Sequence, residues 1–212
     1  MPQEIPWPPL SNWNTPTGEA LKALASAGAP SSEFNRLILF GSGALQLTVA
    51  PDLLSADVDI SLDIVPTGTP TLSSVQAEQY LRTLVAKVNQ EFRPGTPYLQ
   101  VCHWMTFQPA HRWERRLHEE SVEGWRIVVP HPYDILFSKL RRLEQKDIEA
   151  FKTVIARTDH PTEKEFLLIC RENFRDFELR RLESTNHIPR PTAKHDIREL
   201  VVHQQVMELA QH

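Results

Sequence analysis

The stretch from Leu37 to Ile64, LILFGSGALQLTVAPDLLSADVDISLDI, constrains the fold more than any other part of the chain. An apolar run stops at Gly41-Ser42-Gly43, and a second apolar run opens with Asp57-Val58-Asp59. In an extended strand alternate side chains share a face, so Asp57 and Asp59 stand side by side. Two neighbouring carboxylates repel, and an apolar strand gains no stability from carrying them. A hard divalent cation removes that repulsion, because Mg²⁺ takes one or two carboxylates together with substrate phosphates. The Gly-Ser-Gly turn offers backbone N–H groups and a hydroxyl where a helix begins, a setting that suits an anion. Anion on one side and cation on the other point to nucleotide chemistry.

Around this stretch the pattern is α/β. Thr17 to Gly28 reads as a short helix with Thr17 as its N-cap and Gly28 after its end. Arg36 to Phe40 reads as a buried strand, and Ala44 to Val49 as a helix following the turn. Asp57 to Val65 alternates Val58, Ile60, Leu62 and Ile64 against Asp57, Asp59, Ser61 and Asp63, the pattern of a half-buried strand with an acidic face. Ser73 to Phe92 carries an apolar helical stripe of Val75, Leu81, Leu84, Val85 and Val88. Tyr98 to Phe107 and Trp125 to Val129 read as further strands, the second preceded by a Glu123-Gly124 turn. From Pro132 onward the pattern is helical: Tyr133 to Glu144, Asp147 to Arg157, Glu163 to Glu183 and Thr192 to Gln211. Two regions result, an α/β core over residues 1–130 with a Pro/Trp-rich N-terminal arm, and a helical part over 131–212. Asn186 to Pro191 reads as a linker before the last helix.

With 212 residues, 41% hydrophobic and 24% charged, the chain can bury one core with a helical appendage. A net charge of −4 argues against wholesale electrostatic binding of nucleic acid. Two cysteines, Cys102 and Cys170, are too few for a disulfide framework and fit a reducing compartment. The N-terminus lacks the basic and apolar regions of a secretory signal, and no apolar run approaches a membrane span. The expectation is a cytoplasmic protein with no membrane partner. The histidines show no spacing suited to zinc.

Gly41-Ser42 at a strand end, followed after fourteen residues by Asp57-x-Asp59, resembles the hallmark of the nucleotidyltransferase superfamily. A second block, HPYDILFSKLRRLEQKDIEAF from His131 to Phe151, is similar to the conserved segment of the AbiEii-like branch, with Pro132, Asp134, Lys139, Lys146 and Asp147 at the matching positions. Between the blocks, Arg112-Trp113-Glu114-Arg115-Arg116-Leu117 resembles the arginine-containing segment of that branch. The resemblance covers roughly residues 33 to 157. It implies a nucleotidyltransferase-like small mixed β-sheet flanked by helices, followed by the helical C-terminal part. It also implies Mg²⁺- or Mn²⁺-dependent transfer of a nucleoside monophosphate from a nucleoside triphosphate to a hydroxyl on an RNA end, a small molecule or a protein. Members of the branch act as toxins paired with an antitoxin, so the resemblance extends to such a partner.

Each position carries two readings. Asp57 and Asp59 are metal ligands, or a solvated acidic face that discourages strand aggregation. Ser42 donates to a phosphate oxygen where Gly41 and Gly43 let the backbone approach, or it caps the next helix. Lys139 reaches the triphosphate, or it snorkels at the border of an apolar helical face. Asp147 caps a helix by position, whereas the resemblance sets it beside Lys139 and nucleotide. Asp134 suits a helix N-terminus, and Asp63 a surface charge. Arg112, Arg115 and Arg116 around Trp113 form a phosphate or base clamp, or a charged face. The superfamily places a third acid on a neighbouring strand, but Tyr98-Leu99-Gln100-Val101-Cys102-His103 contains none. Gln100 or His103 takes that position, and only the histidine is able to act as a base at neutral pH. The alternative function is therefore a catalytically degenerate nucleotide-binding or protein-interaction module.

Overall fold

The computed structural model describes residues 12–31, 33–63, 72–91, 96–103, 107, 112–139, 146–147, 150 and 153–154. The helices expected over Glu163–Glu183 and Thr192–Gln211, the linker, Cys170 and most of the N-terminal arm lie outside the described residues. So does the domain boundary's helical side beyond α4, apart from a few helical positions between 146 and 154.

Chain order is α1 (Pro16–Ala27), β1 (Arg36–Phe40), α2 (Gly41–Thr48), β2 (Asp57–Leu62), α3 (Leu72–Glu91), β3 (Tyr98–Val101), a 3₁₀ turn (Trp113–Arg116), β4 (Leu117–Val122), β5 (Trp125–Pro130) and α4 (Pro132–Lys139). The strands form one mixed sheet in the order β3-β2-β1-β5-β4. β1 runs antiparallel to β2 and parallel to β5, β2 runs parallel to β3, and β4 and β5 form an antiparallel hairpin. A mixed α/β fold with helices flanking the sheet is thus observed.

Pairing registers assign the two faces. Leu37, Leu39, Val58, Ile60, Leu62, Leu99 and Ile127 share one face and are all buried. Helix α1 brings Leu21 and Leu24, α2 brings Leu45 and Leu47, and α3 brings Leu81 and Val85 into the same core. Each such side chain contributes about 1.5–3 kcal/mol by leaving water. The opposite face carries Ile38, Phe40, Ser61 and Val128 in its middle. There Phe40 stacks on Phe107 at 5.4 Å, and Trp113 meets Phe107 edge-on at 5.4 Å. Asp57, Asp59, Tyr98 and Gln100 lie toward the β3 edge of this face, and Arg36, Glu119 and Arg126 toward β4.

Strand β3 is the last strand on its side, yet its backbone is occupied. From α3, Asn89 accepts from Leu99 N at 3.0 Å and donates to Leu99 O at 2.9 Å, as a neighbouring strand would.

Several boundaries differ from the sequence expectation. The cap of α1 is Thr15, whose hydroxyl accepts from Gly18 N; Thr17 lies inside the helix, and its backbone N–H donates to Gln46 Oε1. Helix α2 starts inside the Gly-Ser-Gly motif rather than at Ala44. β3 ends at Val101 rather than Phe107. Strand β4 has no counterpart in the sequence reading, because its His118-Glu119-Glu120-Ser121 centre lacks apolar alternation. It is held as the partner of β5 through a tight turn with positive φ at Glu123 and Gly124.

Candidate active site

Strand β1 ends at Phe40, and the chain passes directly into α2 through Gly41, whose φ is +70°. That conformation suits glycine, and a second constraint acts on the same residue: a Cβ there would stand 2.6 Å from Asp59 Oδ2. The acidic strand and the glycine turn therefore meet. Phe40, at the cap position of α2, has no side-chain oxygen to offer, so it does not itself cap the first N–H groups of α2. Gly43 serves a different contact. A Cβ on it would point at Thr17, 3.3 Å away, and at Val58, so its bareness lets α1 and β2 approach α2.

Lys139, the last residue of α4, reaches this turn. Its ammonium donates to Ser42 Oγ at 3.1 Å and to Asp147 Oδ1 at 3.0 Å. Lys139 is 6% exposed and Asp147 fully buried, so lysine here is no snorkelling surface group. Asp147 is a partner of Lys139, not a simple helix cap, because Lys146 before it is already helical.

Asp59 sits in an environment that resists its charge. Burial first, then the charge of Asp57, push the Asp59 carboxyl up. A hydrogen bond from Cys102 and the charges of Lys139 and Lys146 pull the other way without cancelling the rise. Among the described residues neither Asp57 nor Asp59 makes an ion pair. Cys102 Sγ lies 3.3 Å from Asp59 Oδ1. Its thiol is pushed up to about 12 by burial and by the adjacent Asp59, so it stays protonated and donates a hydrogen bond to the carboxylate.

At the third position β3 sets Gln100 in register with Asp59, and Tyr98 in register with Asp57. His103 lies past the end of the strand and is exposed. Sequence reasoning missed Cys102, although strand alternation from Gln100 was a signal for it. Asp134 stands in the first turn of α4 as expected, but it is also fully buried and grips Arg116 in a two-pronged pair, Nε to Oδ2 at 2.9 Å and Nη2 to Oδ1 at 2.7 Å. Arg116 is thereby committed to holding α4 against the 3₁₀ turn. Asp63 is paired with Arg36.

Among the described residues, no three or more His, Cys, Asp and Glu side chains gather as a metal-binding group, and no helix is long and apolar enough to cross a membrane. Asp57 and Asp59 on one face of β2, with the Asp59 carboxyl pushed up by burial, nevertheless fit a Mg²⁺ or Mn²⁺ ion whose remaining ligands come from phosphate and water. Compared with protein-family models, with curated proteins and with solved structures, the chain has no match.

Proposed function

We propose that this chain is a nucleotidyltransferase-like enzyme of the AbiEii-like kind, moving a nucleoside monophosphate from a nucleoside triphosphate to a hydroxyl acceptor. The observation that carries the reading is the meeting of three sequence-distant blocks: Gly41-Ser42, Asp59, and Lys139 with Asp147. Ser42 Oγ and the first N–H groups of α2, which Phe40 does not cap, hold phosphate oxygens. Asp147 keeps Lys139 in place, and Lys139 places positive charge beside those oxygens. Asp57 and Asp59 hold the cation. A bound Mg²⁺ or Mn²⁺ supplies charge neutralisation at the triphosphate and at the attacking and leaving oxygens. The acceptor oxygen bonds to the α-phosphorus as the bond to pyrophosphate breaks, and the hydroxyl proton passes to solvent or to His103.

One observation favours a second reading. Gln100, the neighbour of Asp59 on β3, is an amide and accepts no proton at neutral pH. A degenerate module would bind triphosphate, or only a protein partner, without transfer. The toxin role and the antitoxin partner follow from resemblance alone.

The test is incubation with each α-phosphate-labelled nucleoside triphosphate, Mg²⁺, and RNA, small-molecule and protein acceptors. Wild type is expected to transfer label, and Asp57→Ala/Asp59→Ala to lose at least about 100-fold of the rate, since a metal centre is worth several kcal/mol. Triphosphate binding without transfer to any acceptor would favour the degenerate module.

A further inference from the structure

We propose that Tyr98 is the residue that grips the acceptor, and that the acceptor presents a nucleobase beside its attacking hydroxyl. The inference rests on the transferase reading and deepens it. Phosphoryl-type transfer needs the attacking and leaving oxygens roughly in line across the reacting phosphorus. The leaving pyrophosphate belongs with Ser42 and Lys139, at the end of β1. The acids belong to β2, and the sheet order β3-β2-β1 then leaves the β3 side for the attacking group. Two side chains of β3 share the acidic face there, Tyr98 beside Asp57 and Gln100 beside Asp59.

Tyr98 is 60% exposed, one of four large hydrophobic side chains left in water among the described residues. Of the others, Tyr80 donates its hydroxyl to Ala29 O, Val75 lies on α3, and Leu54 lies in the loop before β2. A broad ring bared at a strand position next to a carboxylate stacks on a flat partner, and base–aromatic stacking tolerates every base. Charge favours the same partner. The chain is net negative, Arg82 beside β3 is bonded to Glu78 and Val101 O, and Tyr98 offers an uncharged ring as a grip on that side. The acceptor is thus held by its terminal base more than by its phosphates. In the step, the ribose hydroxyl oxygen of that nucleoside forms the new bond to the α-phosphorus, pyrophosphate departs with the electron pair of the broken bond, and the hydroxyl proton leaves to water.

The experiment compares wild type, Tyr98→Ala and Tyr98→Phe as full-length chains with Mg²⁺. It measures KM for a short single-stranded oligonucleotide, for a free nucleoside 5′-monophosphate and for the triphosphate, alongside fluorescence-detected binding of each. Losing one stacked base raises the acceptor KM about 5- to 100-fold in Tyr98→Ala. The triphosphate KM stays within about twofold, Tyr98→Phe behaves as wild type, and acceptor binding varies little with salt because few phosphates are engaged. The two acceptors separate an oligonucleotide end from a free nucleotide as the source of the base. An unchanged acceptor KM in Tyr98→Ala, or a Tyr98→Phe defect as large as that of alanine, overturns the proposal. Triphosphate binding that depends on Asp57 and Asp59, with no base-bearing ligand bound, overturns it while leaving the transferase reading intact. Binding of neither overturns both, and Tyr98-dependent oligonucleotide binding without triphosphate binding keeps the grip and removes the transferase. Unchanged thermal midpoints of both variants verify that they fold.

Discussion

Asp59 and Glu119 stand on the same face of one sheet, and their surroundings act on them in opposite directions. Glu119 lies between Arg36 and Arg126, accepting from Arg36 Nε at 3.1 Å and Arg126 Nε at 2.5 Å. Burial alone would push its carboxyl up, but hydrogen bonding and charge from the two arginines outweigh that, and it ends lower. Asp59 has burial and Asp57 against it, with Lys139 and Lys146 acting only by charge from outside ion-pair range, and it ends higher. Glu119 is a finished surface network of modest worth. The acid pair on β2 has no ion pair among the described residues, and under the proposed function a cation would complete it. Functional sites are where such perturbed groups gather.

The sharpest way to break this contrast is to remove the cation from each region. Lys139→Ala takes the ammonium away from a fully buried Asp147 and is expected to cost about 3–5 kcal/mol in urea unfolding. Arg126→Ala, in the exposed network, is expected to cost no more than about 1 kcal/mol. Equal losses would show that the two regions are not different in kind.

Adding a cation sharpens it next. Mg²⁺ or Mn²⁺ at a hundred times its dissociation constant should stabilise wild type by about 2.7 kcal/mol. Asp57→Asn/Asp59→Asn should lose that gain in thermal melts, while Glu119→Gln keeps it. A gain that survives in the double variant would place the ion elsewhere.

The smallest effect is in pH. Asp59 is raised in the folded chain, so the folded state holds the proton more tightly there, and stability falls as pH rises from the ordinary aspartate value through the raised one. Glu119 is lowered, so its contribution is present above the ordinary glutamate value and is lost as pH falls through the lowered one. Without metal at neutral pH, Asp59→Asn should therefore raise the thermal midpoint by roughly a few degrees, and Glu119→Gln should not. A midpoint lowered by Asp59→Asn would mean that the carboxylate is already satisfied.

Much of this contrast was legible in the residues themselves. Period-two alternation in Asp57–Leu62 and the halt at Gly41-Ser42 set the acids and the turn, because both are local backbone signals. The Lys139–Asp147 and Arg116–Asp134 pairs were not legible from spacing. A buried ion pair joins positions whose separation is decided by tertiary packing, so only the family resemblance set Asp147 beside Lys139, and Asp134 read as a helix-end charge. β4 escaped for a related reason. Its charged centre is tolerable only because it is a border strand, and its existence depends on the β5 hairpin.

The two bonds from Asn89 to Leu99 do more than occupy an open border. They act as a ratchet pawl on the outermost strand. A slip of one residue would exchange the roles of alternate side chains, burying the phenol of Tyr98 and throwing Leu99 into water. A single amide on a helix thus fixes which ring stands beside the acids, so altering Asn89 would blur chemistry on a surface that it never touches.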